Sequence, residues 1–150
     1  MEFHMAADLP HAPERVWPVM LDIKRIAGCI PGCEQVEEHA HLAEYSALMK
    51  QKLGPFKLEV PAQIFIEEHC EPSFVRARAS GKDKLTRTTL DVTLNVALTP
   101  VDTKSCRLSV EATLQVAGRL ASLGHSIIKK RAEENFAEFE RRFRAELETI

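Results

Sequence analysis

The chain opens on alternation. Phe3, Met5, Ala7 and Leu9 fall on one side and Glu2, His4, Ala6 and Asp8 on the other, the period of a half-buried strand that Pro10 ends. Ala12, Pro13 and Glu14 then open a short helix, with proline at its first position and an acid in its first turn. Its apolar stripe is Val16, Trp17, Met20 and Leu21, and Pro18 should kink it, because proline has no N–H to donate. Asp22 is placed to cap a second short helix over 23–27, Gly28 stops it, and Pro31-Gly32 is a strong turn signal.

From residue 33 the period is two. Ala43, Tyr45, Ala47 and Met49 share a face. Past the Gly54-Pro55 turn, Phe56, Leu58, Val60, Ala62, Ile64 and Ile66 form the next stripe. Val75, Ala77 and Ala79 predict a shorter strand, and two long rows follow, from Leu90 to Leu98 and from Cys106 to Val116. Strands with one apolar face and short connections make an antiparallel sheet that is wet on the outside. The last segment changes period: Leu120, Leu123, Ile127, Ala132, Phe136, Phe139, Phe143 and Leu147 recur at helical spacing, predicting one long amphipathic helix. Its polar side pairs Glu138 with Arg142 and Glu140 with Arg144 in the favoured orientation. The fold class is therefore α+β: a curved antiparallel sheet of about seven strands around a long C-terminal helix, in one domain spanning 1–150. A bent sheet with one apolar face must bury it, and only the last helix is large enough to cover it. Such a pair need not close fully, and the space between would be an apolar cavity.

Charge adds little pull toward any polyelectrolyte: 20 basic and 22 acidic residues give a formal net charge of -2. No apolar run approaches the ~20 residues that span a bilayer, and the first residues lack a secretory pattern. Four cysteines without an export signal are expected to be reduced thiols in a cytoplasm.

The stretch GCIPGCEQVEEHAH (28–41) is the one candidate for metal chemistry. Zinc would use Cys29, Cys33, His39 and His41, but Pro31 and Gly32 stand between the cysteines and the His-x-His spacing departs from finger patterns. The C-x3-C spacing is also not the C-x-x-C of thiol oxidoreductases. A rigid turn joining the second helix to the sheet is the favoured reading, and no metal is expected. Hydrolase and metalloprotease motifs do not occur, and the inward stripes carry no acids. His125, just after Gly124, is the best candidate for a catalytic group facing a cavity. Arg76, Arg78, Lys82, Lys84 and Arg87, offset by Asp83 alone, are either a solvated pair of strand ends or a docking patch for an acidic protein or anionic lipid heads. No aromatic interleaves them, which argues against nucleic acid.

Val16-Trp17, Asp22, the run from Ile30 to Glu34 (IPGCE), Leu53-Gly54-Pro55 and the run from Gly118 to Gly124 (GRLASLG) together resemble the CoxG family of carbon monoxide dehydrogenase subunits, within the START and polyketide-cyclase superfamily. The resemblance spans nearly the whole chain and implies a helix-grip fold. It also implies an accessory protein of a molybdenum hydroxylase of the carbon monoxide dehydrogenase type, acting in maturation, membrane recruitment or quinone coupling. The cofactor expectation is nothing covalent but a bound lipophilic molecule such as a quinone or lipid. The cavity and its mouth are expected at Trp17, Ile30, Pro31, Leu53, Phe56, Leu58, Leu120, Leu123, Gly124 and Ile127. Access would require the 28–33 turn, the 53–56 turn and the helix start to separate. The location expected is cytoplasmic and peripheral to the inner face of the cell membrane, with transient membrane contact. The alternatives are a cavity enzyme of the cyclase or hydrolase kind and a purely structural partner with a filled core.

Overall fold

The computed structural model describes residues 1–150. Strand β1 (Glu2–Leu9) leads into helices α1 (Pro13–Met20) and α2 (Ile23–Ala27). Six strands follow: β2 (Cys33–Ala40), β3 (Glu44–Leu53), β4 (Phe56–Cys70), β5 (Phe74–Asp83), β6 (Thr88–Asp102) and β7 (Ser105–Ala117). A 3-10 turn (Arg119–Leu123) precedes helix α3 (His125–Leu147). The seven strands form one antiparallel sheet in the order β1-β7-β6-β5-β4-β3-β2. Every connection from β2 to β7 is a hairpin, and the helices α1 and α2 carry the chain from one edge strand to the other.

The periodicities explain most of these elements. Along β6, Thr89, Asp91, Thr93 and Asn95 are exposed and the alternate positions face inward. In α2 the Asp22 carboxylate accepts from the Arg25 amide, and Arg25 itself reaches Glu146 and Thr149 at the end of α3. Pro18 lies inside α1 on its exposed side, and the helix continues through it to Met20. The missing donor falls where water can serve the freed carbonyl. The strand at Val75, Ala77 and Ala79 is ten residues long, shorter than the fifteen of its neighbours β4 and β6. On α3, Arg142 and Arg144 bond Glu138 and Glu140, and Arg141 joins the first pair. These two guanidiniums, Arg141 before Arg142, pull the Glu138 carboxyl down to about 2.

The last segment departs from a single helix. Gly118 (φ 96°) and Gly124 (φ 86°) both take left-handed backbone and isolate the 3-10 turn between them. A Cβ on Gly118 would run into the carbonyl oxygen of Arg87. The break at Gly124 resets the helical phase. Ile128, not Ile127, is therefore the buried residue of the first turn of α3, and Ile127 is 46% exposed.

Two clusters form the core, one at each end of the sheet. The first joins Leu9, Val16, Trp17, Leu98, Leu108, Phe143 and Leu147 and closes the end where α1 meets the C-terminal half of α3. The second joins Phe3, Leu53, Leu58, Leu120 and Ile128, with Phe56 and Leu123 packed on it, and closes the end where the 3-10 turn lies.

Candidate functional site

Between the two clusters the interior is not filled. Inward positions Leu90, Val92, Leu94 and Val96 of β6 are only half-buried, although Thr88 and Leu98 at either end of the same row are buried. Ile64 and Ile66 on β4 and Ala77 and Ala79 on β5 behave alike. Side chains on a concave face keep accessible surface only where nothing packs against them. The space they face is a cavity of about 430 Å³ lined by 28 residues, 25 of them hydrophobic. That lies within the range of small-molecule sites, ~300–1,000 Å³.

Each wall has a simple origin. The floor is the middle of the sheet, where β5, fourth of seven strands, presents Val75, Ala77 and Ala79 inward. Alanine is depleted in strands, and its small side chain leaves room directly under α3. The roof is Phe139 and Phe143, stacked with ring centroids 5.5 Å apart. The side is α2 and the turn after it, through Ile23, Ile26 and Ile30, with Met20 and Leu21 from the end of α1.

The polar content is small. No Asp, Glu, His, Lys or Arg side chain lines the space. The lining residues outside the hydrophobic class are Gln51, Ser80 and Gly81, and by register Ser80 belongs to the outer row with Gln63 and Asp91. Cys33 lines the wall with its thiol pushed up by burial and, less, by Glu34, so it stays protonated. Gln51 is the structural hub of the rim. Its Nε2 donates to the Pro31 carbonyl at 2.7 Å, and its Oε1 accepts from Arg131 Nε and Asn135 Nδ2, each at 3.2 Å. One side chain thus ties β3, the turn after α2 and the N-terminal half of α3. Alongside it Gly32 (φ 82°) approaches β3 closely, with its carbonyl accepting from the Lys50 amide at 2.8 Å. Gln51→Ala should loosen this rim. We expect faster amide hydrogen exchange at 30–33 and at 131–135, with unchanged exchange in β6 and β7; equal protection in both proteins would count against Gln51 as the tie.

Of the residues expected to bind ligand, Ile30 and Leu58 line the cavity. Trp17 does not; it is buried in the end cluster, and its neighbours Met20 and Leu21 reach the space instead. Leu53, Phe56, Leu120 and Leu123 pack together in the second cluster and seal that end. Pro31 is held at the rim through its carbonyl, Gly124 is exposed at the helix break, and Ile127 points to solvent. Gly124 and Ile127 would face inward only on an unbroken helix. Sequence reasoning passed over Gln51, Phe139, Phe143 and the small residues of β5; the run of alanines at inward strand positions was the available signal.

The alternative chemistries find no assembly. His125 is exposed, away from the lining residues. His39 and His41 bond Ser46 and Glu38 on the surface, while Cys29 is buried with its Sγ near the Arg25 carbonyl. No cluster of three or more potential metal ligands exists. Arg76 and Arg78 lie on the outer face of β5, where Arg76 pairs with Glu68 and Arg78 sits 6.0 Å from the Phe65 ring. Lys82 continues the same outer row near the end of β5, and Lys84 and Arg87 lie beyond it in the β5–β6 turn. No helix is long and apolar enough to cross a membrane.

No individually curated protein matches the sequence. Solved structures share the fold. A conserved protein from Geobacillus kaustophilus superposes with a TM-score of 0.90 at 19% identity, over 99% of this chain and 96% of that one. A START superfamily protein from Mycobacterium smegmatis gives 0.74 at 10%, over 99% and 97% of the two chains. The Zhui aromatase/cyclase from Streptomyces sp. R1128 gives 0.70 at 12%, over 99% and 93%. These likenesses establish the helix-grip architecture of a sheet closed around one long helix. The sequence itself goes further: through its match over residues 6–148, the chain belongs to CoxG, a family of carbon monoxide dehydrogenase subunits.

Proposed function

We propose that the chain is a non-catalytic carrier that holds a lipophilic small molecule, of quinone or lipid kind, and serves a molybdenum hydroxylase of the carbon monoxide dehydrogenase type. The observation that carries the first half is the cavity of about 430 Å³ with 25 hydrophobic residues among its 28. Burial there is worth ~2.5 kcal/mol per 100 Å² of ligand surface before ordering costs. A polar or charged ligand would lose its hydration without recovering hydrogen bonds. Proton transfer, the commonest contribution of a hydrolase or cyclase side chain, needs a titratable group near the reacting atom. The lining offers only a protonated thiol, which supports carriage over catalysis. The family's name associates its members with carbon monoxide dehydrogenase, and this supports the second half.

Mixing the purified chain with a purified hydroxylase of that type tests the client directly. A complex that co-elutes on size exclusion at micromolar concentrations is expected. Separate elution at every ratio would contradict the client assignment and leave the carrier reading to its own test.

A further inference from the structure

The cavity wall formed by residues 23–31 is held unlike the others. Its inner side carries Ile23, Ile26, Ala27 and Ile30, all of which line the space. Within it only Ala27 and Cys29 are buried, and neither core cluster has a buried member there; Ile26 touches the margin of the first. A helix as short as α2 cannot stand by itself and takes its stability from what it packs against. Here much of that support is empty space. The segment is fixed just before and just after: Met20 is buried in the first cluster, and the Gly32 carbonyl accepts from the Lys50 amide of β3.

Between those points polar bonds close it onto α3, and Arg25 carries most of them. Its Nε donates to Glu146 Oε2 at 2.5 Å, and its Nη2 donates to the Glu146 carbonyl at 3.1 Å and to Thr149 Oγ1 at 2.6 Å. The bond from Arg142 Nη1 to the Gly28 carbonyl is long, at 3.5 Å. Cys29 is buried in this seam, where the charges of Glu146, Arg142 and Arg25 act on its thiol. The side chains of Arg25 and Glu146 are 32% and 40% exposed, so water can take over their bonds when they part. The end at the 3-10 turn is closed differently. There Leu53, Leu58, Leu120 and Ile128 are buried together, and parting them would expose apolar surface to water.

We propose that residues 23–31 form a lid latched by Arg25 to the end of α3, and that a ligand enters the cavity when this latch opens. The inference rests on the reading of the cavity as a binding volume. Entry then lies at the side, while the 53–56 turn and the helix start stay shut. Opening exchanges the bonds of Arg25 for bonds to water, and the floor, the roof and both end clusters keep their contacts.

The test follows two rates in the whole chain. Labelling by N-ethylmaleimide, located by peptide mass, reports lifting of the lid at Cys29. Cys106, 0% exposed in the first cluster, reports unfolding of the domain. Uptake of an apolar fluorophore reports entry. Arg25→Ala deletes the latch and keeps a strong helix former in α2. It should raise both the labelling of Cys29 and the rate of uptake about tenfold, with Cys106 still protected. Loss of the guanidinium also takes a positive charge away from the Cys29 thiol, which by itself slows labelling, so the acceleration reads opening alone. Arg25→Lys keeps the charge without the fork and should fall between. Leu123→Ala, in the second cluster, should leave the uptake rate as in the parent. Unchanged labelling of Cys29 in Arg25→Ala, or equal acceleration at Cys106, would overturn the lid. Faster uptake in Leu123→Ala but not in Arg25→Ala would overturn it too and move the entrance to the 53–56 turn. A parent that takes up no fluorophore at all would contradict the carrier reading instead, and the labelling rates would still decide whether the segment lifts.

Discussion

The double substitution Ala77→Phe and Ala79→Phe is expected to abolish lipophile binding while leaving the protein folded. Both alanines sit on the central strand of the sheet and face the cavity. Their cross-strand neighbours, Ile66 and Leu94 for the first and Ile64 and Val92 for the second, are themselves lining residues. Two added aromatic rings would occupy the space directly beneath Phe139 and Phe143. Each ring gains ~1.5–3 kcal/mol by burial. Overpacking against the roof costs ~1–3 kcal/mol, so the effects nearly cancel and stability should change little. Phenylalanine also suits a strand better than alanine. Affinity for an apolar fluorophore should fall about 100-fold or more, ~2.7 kcal/mol. Retained binding in a variant that melts like the parent would mean that the ligand sits elsewhere.

The second large effect is on stability. Phe143 has 0% exposure and joins the two functions of α3: it stacks on Phe139 over the cavity and packs among Leu9, Val16, Trp17 and Leu108 in the end cluster. Truncation of such a residue costs ~3–5 kcal/mol through lost transfer energy and the hole left behind. Against a typical total of ~5–15 kcal/mol, Phe143→Ala should remove a large share of the stability. The melting temperature should fall by roughly 6–20 °C. Phe136, half-buried at the margin of the same cluster, should cost clearly less when truncated. Equal, small losses at both positions in denaturant titrations would show that α3 is not anchored where Phe143 meets α1.

These substitutions mark the limits of what the sequence discloses. Period-two rows such as Leu90 to Leu98 announce a sheet with one apolar face, because inward and outward positions alternate strictly. Nothing in that pattern distinguishes a row facing a packed helix from one facing empty space. The half-burial of Leu90 to Val96 depends on how far the sheet bends away from α3, which is a property of the whole assembly. A local signal did exist: alanine at positions 77 and 79, inward on the middle strand, is too small to reach the helix. The position of the seal was obscured by Gly124. Counting from Leu120 in steps of a helix brings Ile127 inward, but the left-handed residue at 124 resets the phase and buries Ile128 instead. The basic group was legible as composition but not as geometry. Arg76, Arg78 and Lys82 belong to the outer row of β5, and Lys84 and Arg87 lie beyond it in the β5–β6 turn. Gln51 had no distinguishing pattern, since its three partners come from the turn after α2 and from α3.

The carrier reading rests on the hollow between sheet and helix being a binding volume. Mass spectrometry under non-denaturing conditions, on protein purified without detergent, tests this most directly, and organic-solvent extraction of a parallel sample identifies the molecule released. The account predicts one lipophilic molecule per chain in the parent and none in the variant with both alanines of β5 replaced by phenylalanine. A bare polypeptide mass in the parent, together with no uptake of added quinone or lipid, would contradict it.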